Sequence, residues 1–116
     1  MKAHQVYLRF LHVLHALEAE SELPAMDLEC RRLLEKIAVR QQADHPLTVT
    51  EVMALSAIAS PATMHRKLDA LLDMGVIAHR FEGDNRRTKY VVCTDLAMKY
   101  FERAGRAMQR SLKTAT

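Results

Sequence analysis

Arg66 is the side chain in this sequence best equipped to read a base pair. A guanidinium can donate two parallel hydrogen bonds to the major-groove edge of guanine. It stands among short polar and small residues, Ser60, Ala62, Thr63 and His65, that let a backbone come close to a nucleic-acid groove. A second basic group follows at Arg86, Arg87 and Lys89, suited to phosphates or to a narrow minor groove. No other chemistry assembles from the remaining titratable residues. His12 and His15 are three apart and can face one metal, but no third ligand at a matching spacing joins them. His4 lies on the same stretch, and His45, His65 and His79 are scattered. There is no nucleophile–base pairing, phosphate loop or metal-ligand run, so the expectation is a protein that is not an enzyme and holds no cofactor or metal.

The elements that must position Arg66 can be read around it. Ser60 can cap a helix start and Pro61 is preset for a first turn. Gly75 can take the left-handed conformation that closes a helix. Met64, Leu68, Leu71 and Leu72 share one face between these signals, which predicts a helix over 61–74 with a buried apolar side. Ala62, Thr63, Arg66, Asp69 and Ala70 fall opposite, with His65 at the edge. Upstream, Thr48 and Glu51 have the spacing of a capping box, which predicts a short helix over 49–55 burying Val52, Met53 or Leu55. Residues 56–59 form the turn. Two short helices around a tight turn make a helix-turn-helix, although a plain helical hairpin has the same outline.

Downstream, residues 76–81 and 89–93 read as strands by their β-branched and aromatic content. The turn-forming, basic segment 82–88 lies between them, with Arg86 and Arg87 at its tip. Residues 47–49 can add one short edge to this sheet. An earlier helix starts near 24 or 27, runs to about 42, buries Cys30, Leu33, Leu34 and Ile37, and stops before Pro46. The first helix covers residues 3 to about 19. Its Val6, Phe10, Val13, Leu14 and Leu17 make a stripe that Tyr7, Leu8 and Leu11 widen, so it needs more than one neighbour, within its own domain or in a second subunit. Thr94 caps a last helix, 95 to about 113, with Ala97, Phe101, Ala104, Met108 and Leu112 as its stripe and Gly105 in its middle.

The chain has 116 residues, enough for one domain with a real core, 49% hydrophobic and 27% charged residues, and a net charge of +3. That excess permits nucleic-acid binding without demanding it. No apolar run approaches the roughly 20 residues that span a bilayer, and the amino terminus lacks a signal sequence. Cys30 and Cys93 make no disulfide framework. A soluble, cytoplasmic protein is expected, with no membrane partner. The fold class expected is mainly α with a small β-hairpin, a winged helix-turn-helix with flanking helices: 1–116 as a single domain, 1–20 and 94–113 at its ends, and 47–93 as helix-turn-helix plus wing.

The run Leu-Thr-Val-Thr-Glu-Val before the turn, Ser-Pro-Ala-Thr-Met-His-Arg with Leu-Leu-Asp-Met-Gly-Val-Ile after it, and the wing Asp-Asn-Arg-Arg together resemble the MarR-type winged-helix transcription regulators. The resemblance covers about 47–106. It implies that helix 61–74 enters the major groove of double-stranded DNA, that hairpin 80–89 reaches the flanking minor groove, and that the outer helices form a homodimer. It assigns Ser60, Ala62, Thr63, His65 and Arg66 to the groove, and Arg86, Arg87 and Lys89 to the wing. The family's Asp-x-Arg pattern is met by Asp84 and Arg86, or one residue later with Asn85 in the acid position and Arg87 as the arginine. Lys67 stands where an apolar residue is usual, and a small-molecule effector, typical of the family, has no pocket legible here. The function implied is a sequence-specific dimeric repressor; the alternative is a winged helix used for protein–protein interaction.

Overall fold

The computed structural model describes residues 1–113. Its elements run α1 (Ala3–Glu20), α2 (Leu28–Gln42), α3 (Val49–Met53), α4 (Pro61–Asp73), β1 (Ile77–Glu82), β2 (Asn85–Cys93) and α5 (Asp95–Lys113). They group into two compact units: residues 24–96, and residues 1–23 with 97–113.

In the 24–96 unit, α2 packs on α4 and β2, α3 packs on the same two elements, and α4 also meets β1. Leu33, Leu34 and Ile37 of α2, Leu47, Val52 of α3, Met64 and Leu71 of α4, and Val76 and Val91 are buried to 1% exposure or less. Truncating a leucine, isoleucine or methionine in such a core to alanine costs about 2–5 kcal/mol. Local chemistry sets the helix ends. Asp27 Oδ1 accepts from the Cys30 N–H at 2.8 Å and starts α2, the later of the two expected starts. At its other end Asp44 adopts φ +64°. There the Asp44 N–H donates to the Gln41 carbonyl at 3.1 Å and the His45 N–H to the Arg40 carbonyl at 3.0 Å, the paired closure that left-handed residues allow. In α3 the Thr48 hydroxyl accepts from the Glu51 N–H at 3.1 Å, and the Glu51 carboxylate accepts from the Thr48 N–H at 3.0 Å, the expected capping box.

β1 and β2 form one antiparallel pair, with Ile77 opposite Cys93 and Arg80 opposite Tyr90. Thr48 bridges to Tyr90, and the Val91 N–H donates to the Leu47 carbonyl at 2.8 Å. Segment 47–49 thus supplies the short third edge that its sequence allowed.

In the other unit Leu17, Tyr100 and Ala107 form a buried cluster, with Phe10, Val13, Leu14, Leu23, Phe101 and Ala104 packed around it. The Tyr100 hydroxyl donates to Glu18 Oε1 at 2.9 Å. The stripe expected on α5 is corrected over its last two turns: Ala107 and Ser111 are buried, whereas Met108 and Leu112 are 51% and 58% exposed. Successive residues lie about 100° apart around a helix, so Met108 and Leu112 start a second apolar face beside the first. Thr94 precedes α5 as a cap would, but its hydroxyl bonds to the Gly75 carbonyl at 2.6 Å. A Cβ added at Gly105 meets nothing within 4 Å among the described residues.

Candidate nucleic-acid interface

The α4 helix is set by the residues that flank it. Ser60 lies outside the helix at φ −64°, ψ 158°, and its Oγ accepts from the Thr63 N–H at 3.4 Å. Pro61 opens the first turn. At the far end the Gly75 N–H donates to the Leu72 carbonyl at 3.0 Å and the Val76 N–H to the Leu71 carbonyl at 3.3 Å. That double closure requires the positive φ of +75° that Gly75 adopts. Met64, Leu68 and Leu71 anchor the helix in the core. Ala62, His65, Arg66, Asp69 and Asp73 are exposed, with Thr63 half-buried.

The exposed side carries a line of hydrogen bonds. The Ser60 hydroxyl donates to Thr63 Oγ1 at 3.1 Å, and Arg66 Nη2 donates to the same Thr63 oxygen at 3.1 Å. His65 Nδ1 lies 3.3 Å from Asp69 Oδ2 one turn on. No acidic residue occupies the first turn, so the positive end of the helix dipole is left uncompensated there. Asp69 and Asp73 make the second half acidic. Ala62, Thr63, His65 and Arg66 therefore share the first two turns of α4, with Ser60 as the cap just before them.

The wing differs from expectation. The turn is only Gly83 and Asp84, with Gly83 at φ +54°, and β2 already starts at Asn85. Arg86 and Arg87 are strand residues and not the tip. Gly83, Asp84 and Asn85 all favour turns by local preference, which extends the expected tip, whereas strand pairing depends on the facing chain. The ladder is also irregular. Between the pairs Arg80–Tyr90 and Glu82–Asn85, Phe81 alone on β1 lies across from Arg86, Arg87, Thr88 and Lys89 on β2. The Arg86 guanidinium sits 4.9 Å from the centre of the Phe81 ring. The Arg87 N–H donates to Asn85 Oδ1 at 3.0 Å, and its exposed guanidinium has no hydrogen bond or ion pair among the described residues. Lys89 is exposed on the same strand.

Two supporting residues were not anticipated. Phe81 carries Arg86, and its only sequence signal was an aromatic strand residue ahead of a basic run. Asp27 pairs with Lys67 of α4 at 2.6 Å, a contact across forty residues that no local pattern announces. The Lys67 hydrogen bond, then the Cys30 N–H, hold the Asp27 carboxyl down at about 2. Burial pushes the Cys93 thiol up to about 11 and raises that of Cys30, which keeps both as unreactive thiols.

An open cleft of about 650 Å³ lies between the end of α2, α3 and the wing, lined by Arg40, His45, Glu51, Arg80, Phe81 and Tyr90 among others. Arg40 and Glu51 already serve local structure: Arg40 Nε donates to the His45 carbonyl at 3.0 Å, and Glu51 closes its capping box. Among the described residues no three histidine, cysteine or carboxylate side chains are grouped to hold a metal. No helix among them is long and apolar enough to cross a membrane.

No protein-family model matches the chain, and no curated protein matches it. Solved structures do. A MarR-like transcriptional regulator from Thermotoga maritima is 16% identical, with 99% of this chain and 81% of that one covered at a TM-score of 0.61. S. aureus MepR bound to ethidium bromide is 16% identical over 99% of this chain and 81% of its own, at 0.65. The S. aureus MepR–DNA complex is 17% identical over 97% and 80%, at 0.57. At such low identity the likeness is one of fold, and this chain has the winged-helix fold of these MarR-like transcriptional regulators.

Proposed function

We propose that the chain is a sequence-specific DNA-binding transcription regulator, a cytoplasmic repressor that works as a homodimer and is not an enzyme. The observation that carries this reading is the amino-terminal half of α4. It offers small and hydrogen-bonding residues, one arginine and an uncompensated helix end on a solvent-facing side, while its other side is locked in the core. Phosphates favour such a helix end, and Asp69 and Asp73 repel them. The helix therefore enters a major groove by its first two turns, with Ser60, Ala62, Thr63, His65 and Arg66 toward the DNA. That MepR, which shares the fold, has been captured with DNA supports the same use of this scaffold.

Arg86 is engaged by Phe81, which favours Arg87 as the wing arginine, with Lys89 adding phosphate contact. Residues 1–20 and 94–113 form the dimer. Tyr7 and Leu8 on α1 and Met108 and Leu112 on α5 are each more than half exposed, apolar surface of the kind that subunit interfaces cover. Half-sites are then spaced by about one helical turn, roughly 34 Å.

A mobility-shift titration against the DNA upstream of the chain's own gene, at several salt concentrations, tests the reading. A shift whose affinity falls steeply with salt and whose base preference is relaxed by Arg66→Ala supports it. The absence of any shift overturns it. A second reading, a protein-interaction module, is favoured by the modest net charge of +3 and the acidic second half of α4. It expects Arg66→Ala and Arg86→Ala to leave function intact and apolar surface substitutions to abolish it.

A further inference from the structure

Thr63 stands at the centre of the polar line on α4. Its Oγ1 accepts from Ser60 Oγ and from Arg66 Nη2, each at 3.1 Å. A hydroxyl oxygen has two acceptor lone pairs, so both are occupied and none is left for a base donor. Arg66 spends one of its five N–H donors on Thr63 and keeps four, enough for a paired contact to guanine. Ser60 is itself fixed as the residue that starts the helix. Constraint thus runs from the backbone turn, through two hydroxyls, to the guanidinium.

We propose that Thr63 is a positioning residue: its hydroxyl holds Arg66 along the helix, and discrimination at the base pair that Arg66 meets depends on that hydroxyl. This rests on the DNA-binding reading above. An unconstrained arginine loses rotamer freedom on binding and can turn to a neighbouring phosphate, a contact that carries no sequence information. Holding it in place beforehand favours one base edge over its neighbours.

The test uses the full chain with Thr63→Val, which keeps the branched shape and removes the hydroxyl, and Thr63→Ser, which keeps the hydroxyl. In the DNA-free protein, nitrogen-15 relaxation of the Arg66 Nε–H group should show restricted motion in the wild type and Thr63→Ser, and free motion in Thr63→Val. Binding is then measured on a duplex of about 20 base pairs, two half-sites long, selected from random sequence by the wild type, and on its single-base variants. Thr63→Val should lower the preference at one base pair by about three- to tenfold, the equivalent of one net hydrogen bond, with the salt slope unchanged. Thr63→Ser should restore it, and in an Arg66→Ala background Thr63→Val should change nothing further. Equal Arg66 mobility in the wild type and Thr63→Val overturns the proposal. So does a loss of preference at a base pair other than the one Arg66→Ala affects, which would make Thr63 a reader in its own right. A selected duplex that Thr63→Val reads like the wild type overturns the proposal alone; a wild type that selects no duplex overturns it together with the DNA-binding reading.

Discussion

Lys67 Nζ on α4 lies 2.6 Å from Asp27 Oδ2, and the other oxygen of the same carboxylate starts α2 by accepting from the Cys30 N–H. One side chain thereby fixes a helix start and ties that start to α4, behind the exposed face proposed to meet DNA. Glu29 adds a weaker contact to Lys67 at 3.8 Å. This accounts for a lysine where winged helices of the resembled family usually carry an apolar residue.

The pair sets an acid limit on stability. The Asp27 carboxyl is lowered from its ordinary 3.8 to about 2 in the folded chain. A carboxylate lowered in this way contributes stability that is present above its unfolded value and is lost as pH falls through its folded value. Unfolding by denaturant should therefore show stability dropping from about pH 4 to about pH 2, and Asp27→Asn should flatten that part of the curve. An unaltered slope in the variant would show that the pair is not the cause.

Arg66→Ala should cost about 1–3 kcal/mol in specific binding and relax preference at one base pair. Arg66→Lys should recover little of it, because a lysine cannot donate in the paired geometry. Competition binding with single-base variants measures both. Full specificity in Arg66→Lys would mean that the contact is to a phosphate.

Arg87→Ala should weaken binding almost uniformly across sequences and reduce the slope of log affinity against log salt by about 1. Phe81→Ala removes the ring beneath Arg86, an interaction worth about 0.5–1 kcal/mol at an exposed site. If Arg86→Ala changes the salt slope and Arg87→Ala does not, the two roles are reversed.

Gly105→Ala should stabilise the chain by about 0.5–1 kcal/mol, since the helix interior favours alanine and the added methyl meets nothing within 4 Å. Thermal unfolding at fixed protein concentration reads the gain. A loss would place Gly105 against a second subunit.

Leu8→Glu combined with Leu112→Glu should leave the helical content unchanged, both side chains being more than half exposed, and shift sedimentation equilibrium from dimer to monomer. A dimer that persists would move the interface away from α1 and α5.

Signals confined to a few neighbouring residues were legible in the sequence. Ser60, Pro61 and Gly75 bound α4, and Thr48 with Glu51 starts α3, because caps act within one turn. Legibility ended where a second segment decides. Phe81 facing Arg86, and Asp27 holding Lys67, join residues whose relation exists only once the chain has folded. The α5 stripe failed for a related reason. Ala107 and Met108 are both apolar, and only the position of α1 selects which of them is covered. The Ser60–Thr63–Arg66 spacing was visible, but the hydrogen bonds that join those side chains were not.

The uneven hairpin has a consequence for motion. From Ile77 to Arg80 the two strands are paired residue for residue with Tyr90 to Cys93, and Leu47 is bonded to the same base. Beyond that ladder, β2 carries more residues than β1 can match. Amide protons at the base should exchange slowly with solvent, those of residues 86–89 rapidly. The hairpin then behaves as a rigid stem with a pliant basic end, and its tip can follow a groove whose width changes with sequence while the stem holds its place on the core.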